Sequence, residues 1–270
     1  MNTKMTVTKS NNLIDGECFY EPKTGDGKIV TGRQEKLLLY FISLIDSNND
    51  DVNKEYSVSY DSLREFVKFD RDSILKGAIE AVCGISFKIE TFKLHVIIPS
   101  VFTILKMDDT CREFHFKLNS EIAPFLFNLK NIENGFTKYR LKNIWGLKNL
   151  REIKLYEMLK RWENSKTGYA IKLDRFKSKF GYSQDSEWQN ISRALKKALK
   201  NIEKNTDISV NFKGRSENGS KGVKNIQFNV KKKQKVSRLN TVNPSGSGCS
   251  ETSQEQLDKM QQNINDIIEG

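Results

Sequence analysis

Two periodicities alternate along this chain, and the alternation occurs twice. In GRQEKLLLYFISLI (32–45) apolar residues recur every three to four positions, which predicts an amphipathic helix. In YSVSYDSLREFVKF (56–69) Tyr56, Val58 and Tyr60 alternate with serine as in a half-buried strand, and Asp61 follows as the expected N-cap of a short helix. RDSILKGAIEAV (71–82) returns to the helical period. Strand-like runs resume in SFKIETFKLHVIIPSVFTILK (86–106) and FHFKLN (114–119).

The second half repeats this order. GLKNLREIKLYEMLKRW (146–162) predicts a helix, and YAIKLDRFKSKFGY (169–182) matches 56–69 position by position. Tyr169, Ile171, Leu173 and Asp174 stand where the first copy has Tyr56, Val58, Tyr60 and Asp61; Phe176, Lys177, Phe180 and Tyr182 face Leu63, Arg64, Val67 and Phe69. EWQNISRALKKALKNI (187–202) predicts a further helix. Runs 207–213 and 223–230 flank a Gly/Ser/Asn-rich loop and read as a hairpin.

Helix, strand, helix, helix, hairpin is the order of a winged helix-turn-helix domain, whose third helix is presented to the DNA major groove with the hairpin as a wing. The expected fold class is α+β: two tandem winged helix-turn-helix domains and a short C-terminal helical tail. The expected divisions are 1–29, an N-terminal segment; 30–130, the first domain; 131–232, the second; and 233–270, a flexible linker and tail helix.

A length of 270 residues suits two domains, and 37% hydrophobic with 10% aromatic residues suffices for packed cores. The longest apolar run, LLLYFISLI (37–45), falls well short of the roughly 18 residues of a membrane span. MNTKMTVTKSNN lacks the apolar stretch of a signal peptide. A cytoplasmic protein with no membrane partner is expected. Cys18, Cys83, Cys111 and Cys249 are too scattered for a metal clip or a disulfide framework, so reduced, mostly buried thiols and no cofactor are expected.

Charge placement sharpens the picture. Residues 1–130 hold 17 Lys+Arg against 19 Asp+Glu, residues 233–270 hold 4 against 5, and residues 131–232 hold 24 against 10. The whole excess of +11 therefore originates in the middle block, which predicts an anionic polymer or surface as its partner. On the helix expected over about 187–204, with Ser186 and Gln189 as a capping box, Trp188, Ile191, Leu195, Ala198, Leu199 and Ile202 share one face. Arg193, Lys197, Lys200 and Lys204 fall within about 60° of one another on the opposite face, with Gln189 and Lys196 at its edge. The hairpin adds Lys213, Arg215, Lys221 and Lys224. Lysines here suit phosphates, whereas Arg193 and Gln189 suit base edges. The corresponding helix of the first copy sets Arg71 and Lys76 against Asp72 and Glu80, so the first domain is expected to hold DNA more weakly and to be freer for protein contact. Trp145, Trp162, Trp188, Tyr156 and Phe180 are expected to pack in cores.

Catalytic constellations do not emerge. His95 and His115 sit in strand-like runs; the His-x-His pair of a rolling-circle nickase and the His-x-x-Arg of a tyrosine recombinase are missing. GRSENGSK (214–221) lacks the Gly-Lys-Ser/Thr ending of a phosphate loop, and the acidic pairs Asp50/Asp51 and Asp108/Asp109 lie in loop-like contexts.

Three segments carry a resemblance: FTKYRLKNIWGLKNLREIKLYEMLKRW, then YAIKLDRFKSKFGY, then ALKKALKNIEKNTDISVNF. Together they resemble the second domain of iteron-binding plasmid replication initiators, a family with two winged-helix domains. The most specific elements are Leu155-Tyr156-Glu157 and Asn205-Thr206-Asp207. Where the family often has Ser-x-Tyr-Ser/Ala-x-Arg, this chain has Asn149, Arg151, Glu152 and Lys154, so a phosphate contact from the start of that helix would rest on Lys154. The resemblance implies a non-enzymatic initiator that binds repeated double-stranded DNA sites, helps open its origin and recruits the host initiator and replicative helicase. It also implies a homodimer through the first domain that represses its own gene. A winged-helix repressor without origin function, and an origin nickase, are the competing readings. In the tail, Thr252 and Glu255 suit a capping box, and Leu257, Met260, Ile264 and Ile267 form a stripe that could dock on a partner protein.

Overall fold

A computed structural model describes residues 5–20, 30–90, 95–217 and 222–233. All of them belong to one compact unit, Met1–Lys233. The tail stripe of Leu257, Met260, Ile264 and Ile267, and Lys221 of the hairpin, lie outside the described residues.

The chain begins with strand β1 (Thr6–Ser10), helix α1 (Asn11–Asp15) and strand β2 (Glu17–Tyr20). Helix α2 (Gly32–Ser43), strand β3 (Glu55–Ser59) and helices α3 (Tyr60–Val67) and α4 (Asp72–Cys83) follow, then strands β4 (Ile85–Glu90), β5 (His95–Ile98), β6 (Phe102–Asp108) and β7 (Glu113–Leu118). Strand β8 (Phe136–Arg140) opens the second half. Helix α5 (Leu150–Lys160), strand β9 (Tyr169–Lys172), helices α6 (Leu173–Lys179) and α7 (Trp188–Asn205), and strands β10 (Ile208–Arg215) and β11 (Asn225–Lys232) complete it.

Sheet topology shows the internal repeat in space. β3 pairs with β7, which pairs with β6; β9 pairs with β11, which pairs with β10. In both halves the strand before the helix pair joins the last strand of the closing hairpin, and every pairing is antiparallel. The first half adds the β4–β5 hairpin, extended by β2. One continuous hydrophobic cluster runs from Val7 to Val230. In the first half Phe41 of α2 is its hub, within 4.9 to 5.5 Å of the rings of Phe102, Phe114 and Phe116.

Local signals held for the long helices and failed at some of their ends. α2 begins with a capping box between Thr31 and Gln34. Asp61 and Asp174, however, are not N-caps: Ser59 caps α3 by accepting from the Ser62 N–H, and Lys172 stands at the N-cap of α6. Each strand runs straight into its helix, so the aspartate lands inside the first turn and favours the helix through its dipole instead. Ser186 and Gln189 form no capping box either; Glu187 occupies the N-cap of α7 without a side-chain bond.

The N-terminal residues reach into the second half. β1 pairs with β8 in the register Thr6 to Arg140 through Ser10 to Phe136. Asp15 pairs with Arg161 at 2.6 Å and Lys179 at 3.0 Å. Beneath β1 lies an ionic cluster. Lys9 meets Glu157 of α5 at 2.6 Å with both side chains fully buried, and the Tyr139 hydroxyl donates to the same carboxylate. Three residues back on α5, Lys154 meets the fully buried Glu35 of α2 at 3.0 Å. Burial opposes the charge of Glu157, but Lys9 and Lys154 outweigh it and hold the carboxyl below its ordinary 4.5.

Removing one partner of a buried pair strands the other, so Glu157→Gln is expected to cost about 3–5 kcal/mol in urea unfolding. The paired replacement Lys9→Met with Glu157→Leu is expected to cost less, because neither charge remains. A depressed carboxyl stabilises the fold above the unfolded value of 4.5 and loses that contribution as pH falls through the folded value. Acid titration of stability is therefore expected to be shallower in Glu157→Gln than in the wild type.

Candidate nucleic-acid interface

Helix α7 owes its placement to a polar anchor at each end of α5. At the C-terminal end, Asn143 donates to the Tyr156 hydroxyl at 2.8 Å, and that hydroxyl donates to Asp207 at 3.0 Å, just past the end of α7. Lys160 holds the other Asp207 oxygen at 2.8 Å and Glu163 at 2.7 Å. Burial opposes the Asp207 charge, yet Lys160 and Tyr156 together bring its carboxyl below the ordinary value. Burial and the facing Asp207 push the Tyr156 phenol far up, so it stays a neutral donor.

At the N-terminal end of α5, the buried Glu152 accepts from the Asn201 amide of α7 and from the Lys148 N–H, each at 2.6 Å. Asn205 lies over Gly146, where a Cβ would sit 2.0 Å from its side chain, so the loop tolerates only glycine beneath α7. Arg151, itself exposed, donates to the Phe180 and Gly181 carbonyls and lies over the Tyr182 ring at 4.6 Å.

With Ile191, Leu195, Leu199 and Ile202 buried, α7 turns Gln189, Arg193, Lys196, Lys197, Lys200 and Lys204 to solvent. At 1.5 Å per residue the helix is about 27 Å long, and none of these cations meets an acidic partner among the described residues. The missing capping box leaves the Gln189 amide unengaged there. Trp188 packs edge-on to Phe212 at 6.2 Å and fixes the start of α7 against the hairpin. Gly214 permits this fit, since a Cβ there would lie 2.8 Å from Trp188 and Val223. Lys213, Arg215 and Lys224 are exposed on the same hairpin, and Lys213 and Arg215 face Gln227 and Asn225 across the strands, not acids.

The first half is built differently at the same place. Matching the buried Leu75 and Ile79 of α4 to Ile191 and Leu195 puts Gly77 and Ala81 where α7 carries Arg193 and Lys197. Asp72 is held by Arg112 at 2.8 Å and Arg64 at 3.3 Å, and Lys76 by Asp109 at 2.5 Å. The charges of α4 are mostly closed on the fold itself.

Two expectations require correction. Lys154 carries no charge to the surface: it reaches inward to Glu35. Trp145 is not a core residue: the short 3-10 turn Leu141–Ile144 leaves it 37% exposed, with one edge against Phe66 at 5.9 Å. Tyr156 and Phe180 are buried, and Trp162 and Trp188 pack partly buried against the core. Glu152, Asn201 and Asp207 were missed as anchors of α7; only the Leu-Tyr-Glu and Asn-Thr-Asp stretches hinted at them.

Among known proteins, residues 6–160 match the family described as Initiator Replication protein, WH1. No curated protein matches the sequence. Of solved structures, the Pi initiator protein in complex with iteron DNA superposes with a TM-score of 0.64 at 17% identity, over 84% of this chain and 97% of that one. Domains 2 and 3 of RctB align over 81% of this chain and 91% of theirs, at 10% identity and a TM-score of 0.44, too low to carry an argument.

Tyr156→Phe removes the hydroxyl that Asn143 and Asp207 share. A loss of about 1–3 kcal/mol is expected from the stranded amide and carboxylate, and thermal melting is the measurement.

Proposed function

The chain belongs to the Initiator Replication protein family, and from that premise we propose that it binds repeated duplex sites, iterons, at a plasmid replication origin. The exposed cationic row of α7, free of acidic partners among the described residues, is the observation that carries this reading. The superposable Pi initiator was solved on iteron DNA, and that supports it. In this reading residues 30–130 and 131–232 act as two tandem winged-helix domains. α7 enters the major groove, Arg193 and Gln189 meet base edges, and Lys196, Lys197, Lys200 and Lys204 meet phosphates. Lys213, Arg215, Lys221 and Lys224 follow the flanking backbone as a wing.

The first domain, with α4 nearly neutral, contributes less to DNA affinity and carries homodimer contacts. The protein acts in the cytoplasm without catalysing a reaction: bound to its repeats it helps open the origin and recruits the host initiator and helicase. As a dimer it represses its own gene. No helix among the described residues is long and apolar enough to cross a membrane.

DNase footprinting on the DNA flanking its coding region tests the reading. Protection phased over tandem repeats is expected; protection of one inverted repeat alone would instead indicate a repressor. Arg193→Ala is expected to cost about 1–3 kcal/mol and to relax specificity at one position of the repeat. Lys200→Ala is expected to weaken all duplexes alike and to reduce the slope of log K against log salt by about one. Wild-type binding by both variants would show that α7 does not face the DNA.

A further inference from the structure

We propose that Asn190, on the first turn of α7, selects an adenine of the repeat through paired hydrogen bonds to its major-groove edge. This inference rests on the duplex-binding reading above and deepens it, from a cationic row that holds DNA to one neutral side chain that chooses a base.

Position is the first argument. At about 100° per residue, Asn190 stands about 60° from Arg193 and about 20° from Lys197 around α7, on the solvent face and away from buried Ile191 and Leu195. It is exposed, yet its backbone is held. Trp188, two residues before, packs against Phe212 of β10, and Ile191, the next residue, is fully buried. The N–H groups of Asn190 and Ile191 both donate to the Glu187 carbonyl, at 3.1 and 3.2 Å.

The side chain itself is unengaged. Asparagine weakens a helix relative to alanine because its amide competes for nearby backbone groups, and an N-cap is where it recovers that loss. Here Glu187 occupies the N-cap, and the Asn190 amide has no partner among the described residues. Farther along the same helix, by contrast, Asn201 bonds to Glu152 and the Gly146 carbonyl, and Asn205 bonds to Asn201.

Chemistry names the base. Arginine and lysine only donate, so the cations of the row suit phosphates and the two acceptors of guanine. Adenine presents N7 as an acceptor and the N6 amino group as a donor; the asparagine amide answers with Nδ2 and Oδ1. Guanine offers two acceptors in the major groove, cytosine one donor, and thymine one acceptor beside its methyl, so none of them engages both halves of the amide. Exposed Asp185 and Glu187 precede Asn190 and repel phosphate, which leaves this end of the helix to base edges. Three residues of helix rise about 4.5 Å, against about 3.4 Å per base pair, so the adenine lies one or two base pairs from the base met by Arg193. Matching Leu75 of α4 to Ile191 puts Ile74, 48% exposed, at the corresponding place in the first half, where neither bond can form.

The test compares wild type, Asn190→Ala, Gln189→Ala and Arg193→Ala, each as the full chain. Binding is measured on a duplex carrying the footprinted site, on copies in which each adenine in turn is replaced by 7-deaza-adenine, and on a mixed-sequence duplex. The replacement exchanges N7 for a C–H and keeps both N6 and base pairing. Alanine is the better helix former, so Asn190→Ala is expected to melt no lower than the wild type. Wild type is expected to lose about 2- to 10-fold at one adenine. Asn190→Ala is expected to bind the unmodified site about 5- to 150-fold more weakly and to be indifferent to that replacement. Gln189→Ala is expected to stay sensitive there. Asn190 carries no charge, so its removal leaves the salt slope and mixed-sequence binding unchanged. Equal sensitivity of wild type and Asn190→Ala at every adenine, or an equal loss on the mixed-sequence duplex, would overturn the assignment; a specificity loss in Arg193→Ala would then leave the α7 reading intact. Absence of any site preference in the wild type would overturn both.

Discussion

A fully buried carboxylate on α5, Glu157, constrains how the rest of this chain can be arranged. It sits against an equally buried Lys9 and the Tyr139 hydroxyl, and Lys154 nearby holds Glu35 of α2. Apolar faces tolerate sliding; five polar groups that must meet in a dry interior do not, because each one left unpaired costs several kcal/mol. β1 must therefore lie on β8 in one register, and α2 must present Glu35 to α5. Elements far apart in the sequence, β1 and α2 early and β8 later, are tied to a single helix.

That helix passes the constraint onward. The faces of α5 not used by Lys9 and α2 carry Glu152, Tyr156 and Lys160, which fix α7 through Asn201 and Asp207. The orientation of the cationic row is thereby referred to the same scaffold as α2 and β1. Rigid support of this kind matters for recognition, since side chains set on a fixed helix lose less freedom on binding than those on a loop. On the matched helices the two halves diverge at the surface: Gly77 and Ala81 stand on α4 where α7 has Arg193 and Lys197.

Much of this was legible in the sequence, and for a definite reason. Residues three and four apart share a helix face, so the periodicity of Leu195, Leu199 and Ile202 and the opposing lysines could be read directly. The mixed helix and strand order and the closing hairpins followed from the same local patterns. Interactions between distant segments left no such trace. Lys9 and Asp15 look like ordinary N-terminal charges until β1 is paired with β8, and Lys154 looks like a surface lysine until α2 is packed beside it. Cap positions failed on a finer scale: moving a helix start by one or two residues turns an expected cap such as Asp61 into a first-turn residue and puts Glu187 where Ser186 was expected. Trp145 failed because a short turn, not a regular element, decides which way it points.

The β1–β8 pairing has a consequence for how the chain comes off the ribosome. Of the two strands β1 is made first, and its partner follows about 130 residues later, a delay on the order of 10 s at the usual rate of synthesis. During that interval Lys9 has no Glu157 and the edge of β1 has no neighbour. The first half cannot reach its final form by itself, so completion of the N-terminal segment is postponed until α5 has been made. A nascent chain with such long-range closure folds late and exposes an unpaired strand while it waits.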